Sequence, residues 1–350
     1  MNPIVAVGVL AALVATGAVV VLLRPVLGAR IPWGALAVGA AAIALTTGIG
    51  VLTGTGSAGF LIGASAFAVP VLVLLDAAAV ASGADRFARR LVMLVWGLGV
   101  FPAAMVVPLL LTRDCLAPDC GFEDFGAALP LIVSSSAFVL LAWLPAGVHE
   151  RATLDRPSRR RAVFAIALLW VAITVWLAHL EGAIDEYLPR IALAGLVAPV
   201  GSAVGWLAVD RLRNAGRPPA RSLILGLVAG LVVALPGAVS VGMPWAPLAG
   251  LFAGAAAALV FSLSERDVAG LAARWGMTVL AAVGVAFLAP AVSGDPAGII
   301  FTARGSMLIP PIVAMLAVAT ASVAVSAPVW ILVRRHAARE RIPAQILVDE

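Results

Sequence analysis

Eleven apolar runs, each long enough to be a helix across a bilayer, take up most of this 350-residue sequence. They lie at residues 4–23, 33–53, 59–82, 91–111, 127–146, 162–180, 191–209, 222–240, 245–263, 268–291 and 308–333. Crossing about 30 Å of hydrocarbon takes roughly 20 apolar residues, and there the backbone must satisfy its own hydrogen bonds, so each run is read as a helix. With 63% hydrophobic and 12% charged residues, the chain has too little charge to cover a water-facing surface. Arg24 follows the first run and no basic segment precedes it, so residues 4–23 are read as a spanning helix and not as a signal peptide. The expected architecture is all-α and polytopic: one membrane domain over residues 1–341 and a short cytoplasmic tail, 342–350.

Arginines occupy every second connection. Arg24 and Arg30, then Arg86, Arg89 and Arg90, then Arg151, Arg156 and Arg159 to Arg161, then Arg211, Arg213, Arg217 and Arg221, then Arg266, and finally Arg334, Arg335, Arg339 and Arg341 fall on one side. The other side holds Arg113, Arg190 and Arg304. Positive charge stays cytoplasmic, so the N-terminus is expected outside and the C-terminus inside, in agreement with an odd number of spans. Attraction to anionic headgroups accounts for the net charge of +5, and no basic patch with interleaved aromatics points to nucleic acid. All 23 cationic residues are arginine, which reads as the codon bias of a GC-rich bacterium and suggests its plasma (inner) membrane.

Cys115 and Cys120 are the two cysteines, both in a loop this topology places outside. There a disulfide staple is favoured over a metal pair, since two thiols without a neighbouring histidine make a poor metal site. The spans offer no nucleophile paired with a base, no histidine–carboxylate cluster and no phosphate-cradling glycine loop, so neither an enzyme nor a cofactor is expected.

Asp124-Phe125-Gly126-Ala127-Ala128 opens the fifth run and Asp267-Val268-Ala269-Gly270-Leu271 opens the tenth. Five spans apart, such segments run in opposite directions, as in a five-plus-five inverted repeat. An aspartate at a helix start also caps exposed amides. The eighth run, Leu227-Val228-Ala229-Gly230-Leu231-Val232 continuing to Pro236 and Gly237, is followed by Pro244-Trp245, and Trp206-Leu207-Ala208-Val209-Asp210 precedes Gly216-Arg217-Pro218.

Together these segments resemble the ammonium transporter/Rhesus channel family. The resemblance implies eleven helices per subunit, a homotrimer with one pore in each subunit, and passage of ammonia, ammonium or another small solute. Its alternative is a non-conducting paralogue that senses a ligand or scaffolds a cytoplasmic regulator. Asp124 matches the aspartate that organises the family's outer recruitment site. The family's two pore histidines fall eight residues after the first aspartate and five after the second, where this chain has Ile132 and Ala272. Neither can relay a proton, which makes the chain a degenerate member. Trp176-Leu177-Ala178-His179-Leu180-Glu181-Gly182 resembles the family's Trp-Phe-Gly-Phe-Asn-x-Gly, placing His179 at a gating phenylalanine; a helix-end histidine wetted beside Glu181 is the other reading. Ser82-Gly83-Ala84 sets the second gating position at Val73, with Phe67 read as packing. Asp76 and Arg274 are charges inside spans, roughly 10 Å deep at 1.5 Å per residue, and are expected to pair with each other. Facing the pore instead, Arg274 would raise the barrier to cations.

Overall fold

The structure is a computed structural model that describes residues 3–27, 32–54, 57–111, 122–146, 158–213, 219–242, 245–267, 271–296 and 298–339. Cys115, Cys120, His149 and the Gly216-Arg217-Pro218 turn lie outside the described residues. In chain order the helices are α1 (Pro3–Leu27), α2 (Trp33–Thr53), α3 (Ala58–Ser65), α4 (Ala68–Ala81), α5 (Arg86–Leu94), α6 (Phe101–Leu111), α7 (Ser134–Phe138), α8 (Arg159–Glu181), α9 (Tyr187–Arg213), α10 (Pro219–Gly230), α11 (Trp245–Asp267), α12 (Leu271–Ser293), α13 (Ile299–Thr302) and α14 (Ile309–Arg339). Among the described residues, nine helical spans are long and apolar enough to cross a bilayer. The fifth and eighth expected runs are shorter helices, and each has a local cause.

In the eighth run, α10 ends at Gly230 and residues 231–240 continue as turns. Pro236 has no amide proton and its ring opposes the carbonyl four residues back, so a helix cannot run through it. Non-helical backbone at membrane depth needs burial within protein. Residues 231–238 are all buried, and neighbouring loops supply partners: Phe125 N–H donates to Pro236 O at 3.1 Å and Gly126 N–H to Leu235 O at 2.7 Å. The fifth run starts with a wide π-turn, Leu129–Val133, passes through α7 and tightens into a 3-10 segment, Val139–Ala146. A second π segment, Val95–Val100, joins α5 to α6. The Trp96 indole from this segment donates to Ser134 Oγ at 3.1 Å, tying the fourth run to the fifth.

The third run also breaks. Pro70 opposes the Ala66 carbonyl, and Ala66 and Phe67 form a turn between α3 and α4. Side-chain caps start several helices: Ser57 accepts from Phe60 N–H, Asp85 from Ala88 N–H and Ser158 from Arg161 N–H. Asp267 is the last residue of α11 and not the first of the tenth span, so it does not mirror the capping position of Asp124.

Lipid offers no hydrophobic drive for helices to associate, so close packing at small residues must hold them together. Gly201 and Gly205 of α9 meet the carbonyls of Pro247 and Leu251 on α11, while Gly250 and Gly254 of α11 meet those of Ala198 and Ser202 on α9. A Cβ at any of the four would overlap backbone. On α10, a Cβ at Gly226 or Gly230 would lie 2.6 Å from Cα of Ala203 or Pro199. Two glycines four residues apart on each of three helices thus seal α9, α10 and α11 into one block. At its arginine-bearing end, Asp210 Oδ2 accepts from the Trp206 indole at 3.1 Å and from Ser222 Oγ at 2.7 Å. The tryptophan–aspartate motif is therefore a clamp between α9 and α10.

Candidate functional site

Trp176 and His179 lie one turn apart on α8, where it packs against α1 and the broken α3–α4 span. Trp176 is fully buried; its ring stacks on Phe67 at 4.2 Å between centroids, and its Nε1–H donates to Gly63 O at 2.9 Å. Phe67 is available for this stack because it sits at the α3–α4 break. Sequence reasoning treated it as packing; its partnership with the α8 tryptophan had no sequence signal.

His179 is buried in the same junction. The Nε2 edge of its ring enters a notch between Gly8 of α1 and Gly63 of α3, where a Cβ on either glycine would collide with it. Its Nδ1 is buried without a hydrogen-bond partner. The wetted helix-end reading of His179 therefore does not hold. Gly8 and Gly63 belong to the site through their lack of a side chain.

Val73 is fully buried on α4, and Ile132 and Ala272 are partly buried against the common core. Ile132 lies one turn before Ser136 and Ala272 one turn before Gly276, and these later residues mark where the fifth span crosses α12. A Cβ at Gly276 would fall 2.7 Å from Ser136 O. Arg274 lies two residues beyond Ala272, about 200° around the helix, and it points toward α11. Its guanidinium stands over the Phe261 ring, 5.5 Å from the centroid, with Nε buried and unpartnered among the described residues.

The expected pair of Asp76 with Arg274 is not formed. Asp76 instead takes both arms of Arg89, Nε to Oδ1 at 2.8 Å and NH2 to Oδ2 at 2.7 Å. The reason is local: the turn after α4 brings the first turn of α5 back over it, and a planar guanidinium fits a carboxylate in two parallel bonds. Because α12 starts at Leu271, Arg274 sits one turn from a helix end and can also reach toward the membrane boundary.

The end of the bundle that carries Arg190 holds the polar groups. Asp124 uses both carboxylate oxygens as a cap, accepting from Ala128 N–H at 2.5 Å and Leu129 N–H at 3.0 Å. Its neighbour Glu123 lies against Ser240 and Val239, facing Arg190. Arg190 donates to Val239 O at 3.3 Å and pairs with Asp295 at 3.4 Å, while Asp295 N–H donates to Ser240 O at 3.1 Å. Burial pushes the Glu123 carboxyl up to about 7 from its usual 4.5. Asp124 is also raised to about 7 by burial, against the pull of its two amide donors and with a smaller push from Glu123. Sequence reasoning singled out Asp124 and passed over Glu123, although an acid pair before an apolar run was there to be read.

Broken spans and non-helical backbone buried at membrane depth, with a cluster of polar groups at the Arg190 end, mark a polytopic membrane protein. The fold is that of the ammonium transporters, as the sequence resemblance implied. Mep2 from Candida albicans matches it with a TM-score of 0.69 at 15% identity, over 98% of this chain and 85% of its own. Mep2 from Saccharomyces cerevisiae gives 0.69 at 15%, over 94% and 86%, and an Amt sensor protein gives 0.65 at 11%, over 95% and 94%. No protein-family profile matches the sequence, and no curated protein aligns with it significantly.

Proposed function

We propose that this chain passes ammonia, or a similarly small neutral solute, through an ammonium-transporter-like subunit. The observation that supports this most is the likeness of fold over nearly the whole of this chain and most of its structural neighbours. In this reading the short fifth and eighth segments complete eleven crossings in a five-plus-five inverted arrangement, within a membrane domain of residues 1–341. The subunits assemble as homotrimers in a bacterial plasma membrane, with the N-terminus outside and the C-terminus, tail 342–350 included, in the cytoplasm. The chain is not an enzyme. Val73, Ile132 and Ala272 leave no ionisable group where the family carries its gate and histidine pair. A bare ammonium ion there would lose its hydration for nothing, so the neutral base is the species that suits this path.

The Trp176–Phe67 stack and the wedging of His179 favour a second reading, a sensor that binds its ligand at the mouth and does not conduct, in line with the likeness to an Amt sensor protein. Methylammonium and ammonia flux into liposomes holding the purified protein separates the two. Flux above that of empty liposomes supports conduction. No flux from the native chain, with flux gained in Ile132→His plus Ala272→His, supports the sensor.

A further inference from the structure

Arg274 lies one turn inside α12, and among the described residues no carboxylate pairs with it. The carboxylates described at the arginine-bearing end are committed elsewhere: Asp76 to both arms of Arg89, Asp85 to the Ala88 amide and His336, and Asp210 to the Trp206 indole and Ser222. Arg274 has an aromatic wall instead. Its guanidinium stands 5.5 Å over the Phe261 ring, and that ring packs against Trp206 and Trp275 at 5.6 and 5.4 Å between centroids. A ring face attracts a cation without cancelling its charge, and Nε is sealed from solvent with no acceptor. A charge inside a span that has no counter-ion keeps its field, and such charges mark the routes that solutes take.

Apolar side chains at Val73, Ile132 and Ala272 exclude a bare cation by stripping its hydration, but water entering the same path would bring hydrated ions with it. A fixed positive charge excludes cations whether the path is dry or wet. We propose that Arg274 is that charge, the residue that sets passage of a neutral base against ammonium, protons and alkali cations alike. This rests on the conduction reading above and deepens it. Two residues of α12 separate Arg274 from Ala272, about 3 Å of axial rise, so the guanidinium lies roughly 8–10 Å from the path position although it points toward α11. At an effective dielectric constant of about 20, a unit charge at that range lowers the occupancy of a monovalent cation by about tenfold or more. The same repulsion would meet an imidazolium at position 272. The stretch of α12 that lacks the family's histidine is thus the stretch that carries the arginine.

Currents from the full-length protein on a solid-supported membrane, read beside methylamine uptake into the same liposomes, test this. Jumps of ammonium chloride or potassium chloride are expected to give no wild-type current above that of empty liposomes. Arg274→Gln and Arg274→Met, which remove the charge, should each gain a cation current at least about tenfold above the wild type. Arg274→Lys, which keeps the charge, should stay silent. The reach of the charge is read separately with a nitrile at position 272, made by cyanylating Ala272→Cys in a background of Cys115→Ser plus Cys120→Ser. Its stretching frequency should shift on Arg274→Gln and hold on Arg274→Lys. A wild-type cation current, two neutral variants that both stay silent, or a nitrile that ignores Arg274→Gln overturns the proposal. Methylamine uptake decides the reading beneath it. No wild-type uptake sinks conduction, while a current gained by the neutral variants leaves Arg274 as the barrier. Wild-type uptake with no current from either neutral variant keeps conduction and discards the barrier.

Discussion

Substituting Gly63 or Gly8 by alanine tests the placement of His179 directly. A Cβ at either position would stand inside contact distance of the imidazole's Nε2 and Cδ2. A ring tip can often swing aside, but here the same edge is closed by both glycines. Trp176, one turn earlier on α8, is tied by its indole to the carbonyl of Gly63 itself. Moving His179 out of the notch therefore strains the α3–α8 contact as well. Overpacking of a filled site costs about 1–3 kcal/mol, and Gly63→Ala belongs at the upper end because it strains two contacts. His179→Ala on its own empties the notch and loses burial. In the Gly63→Ala background the same change removes the clash, so the two effects should fall short of additive by about 1–2 kcal/mol. Denaturant unfolding in mixed micelles, followed by tryptophan fluorescence, measures all four corners of the cycle. A silent Gly63→Ala, or a double variant that is simply additive, would show that the imidazole does not occupy the notch. Gly17→Ala, on the same helix as Gly8 with open space at its Cβ position, should change stability by less than about 0.5 kcal/mol.

Three further outcomes follow from the geometry. Glu123 and Asp124, both raised to about 7 from 4.5 and 3.8, keep protons in the fold that the unfolded chain has released. Stability should therefore fall as pH rises from about 4.5 to 7 and level off above, with Glu123 contributing on the order of 3 kcal/mol; an unfolding midpoint that climbs over this window refutes the assignment, and Glu123→Gln should flatten the slope. Removing one partner of the half-buried Asp76–Arg89 pair with Asp76→Ala should cost about 1–3 kcal/mol, since Arg89 keeps some access to solvent, and Asp76→Leu combined with Arg89→Met should recover most of it; a cost under about 0.5 kcal/mol would mean the pair is solvated. Asp124→Ala should cost about 1–2 kcal/mol by freeing the Ala128 and Leu129 amides, seen as faster hydrogen exchange confined to residues 126–131; exchange unaffected there would argue against a capping role.

The spans were legible because hydrocarbon is a strict solvent. Twenty apolar residues in a row can do little else, and the long helices fall where the runs lie. What the pattern could not show is where a run stops being helical. Residues 222–240 are as apolar beyond Gly230 as before it, and the unwinding is set by Pro236 together with donors from residues 125 and 126, which are over 100 positions away in sequence. The Trp206-x-x-x-Asp210 motif was legible, but its purpose, a clamp on Ser222, depends on how α10 returns. Asp76 was correctly marked as a buried charge needing a partner. Its partner was misassigned because depth along a span says nothing about which neighbour reaches it, and Arg89 had been placed in a loop that is in fact the first turn of α5. His179 was found by register with a motif, yet its surroundings are two absent side chains, and a glycine in an apolar run carries no label of what fills the space it leaves.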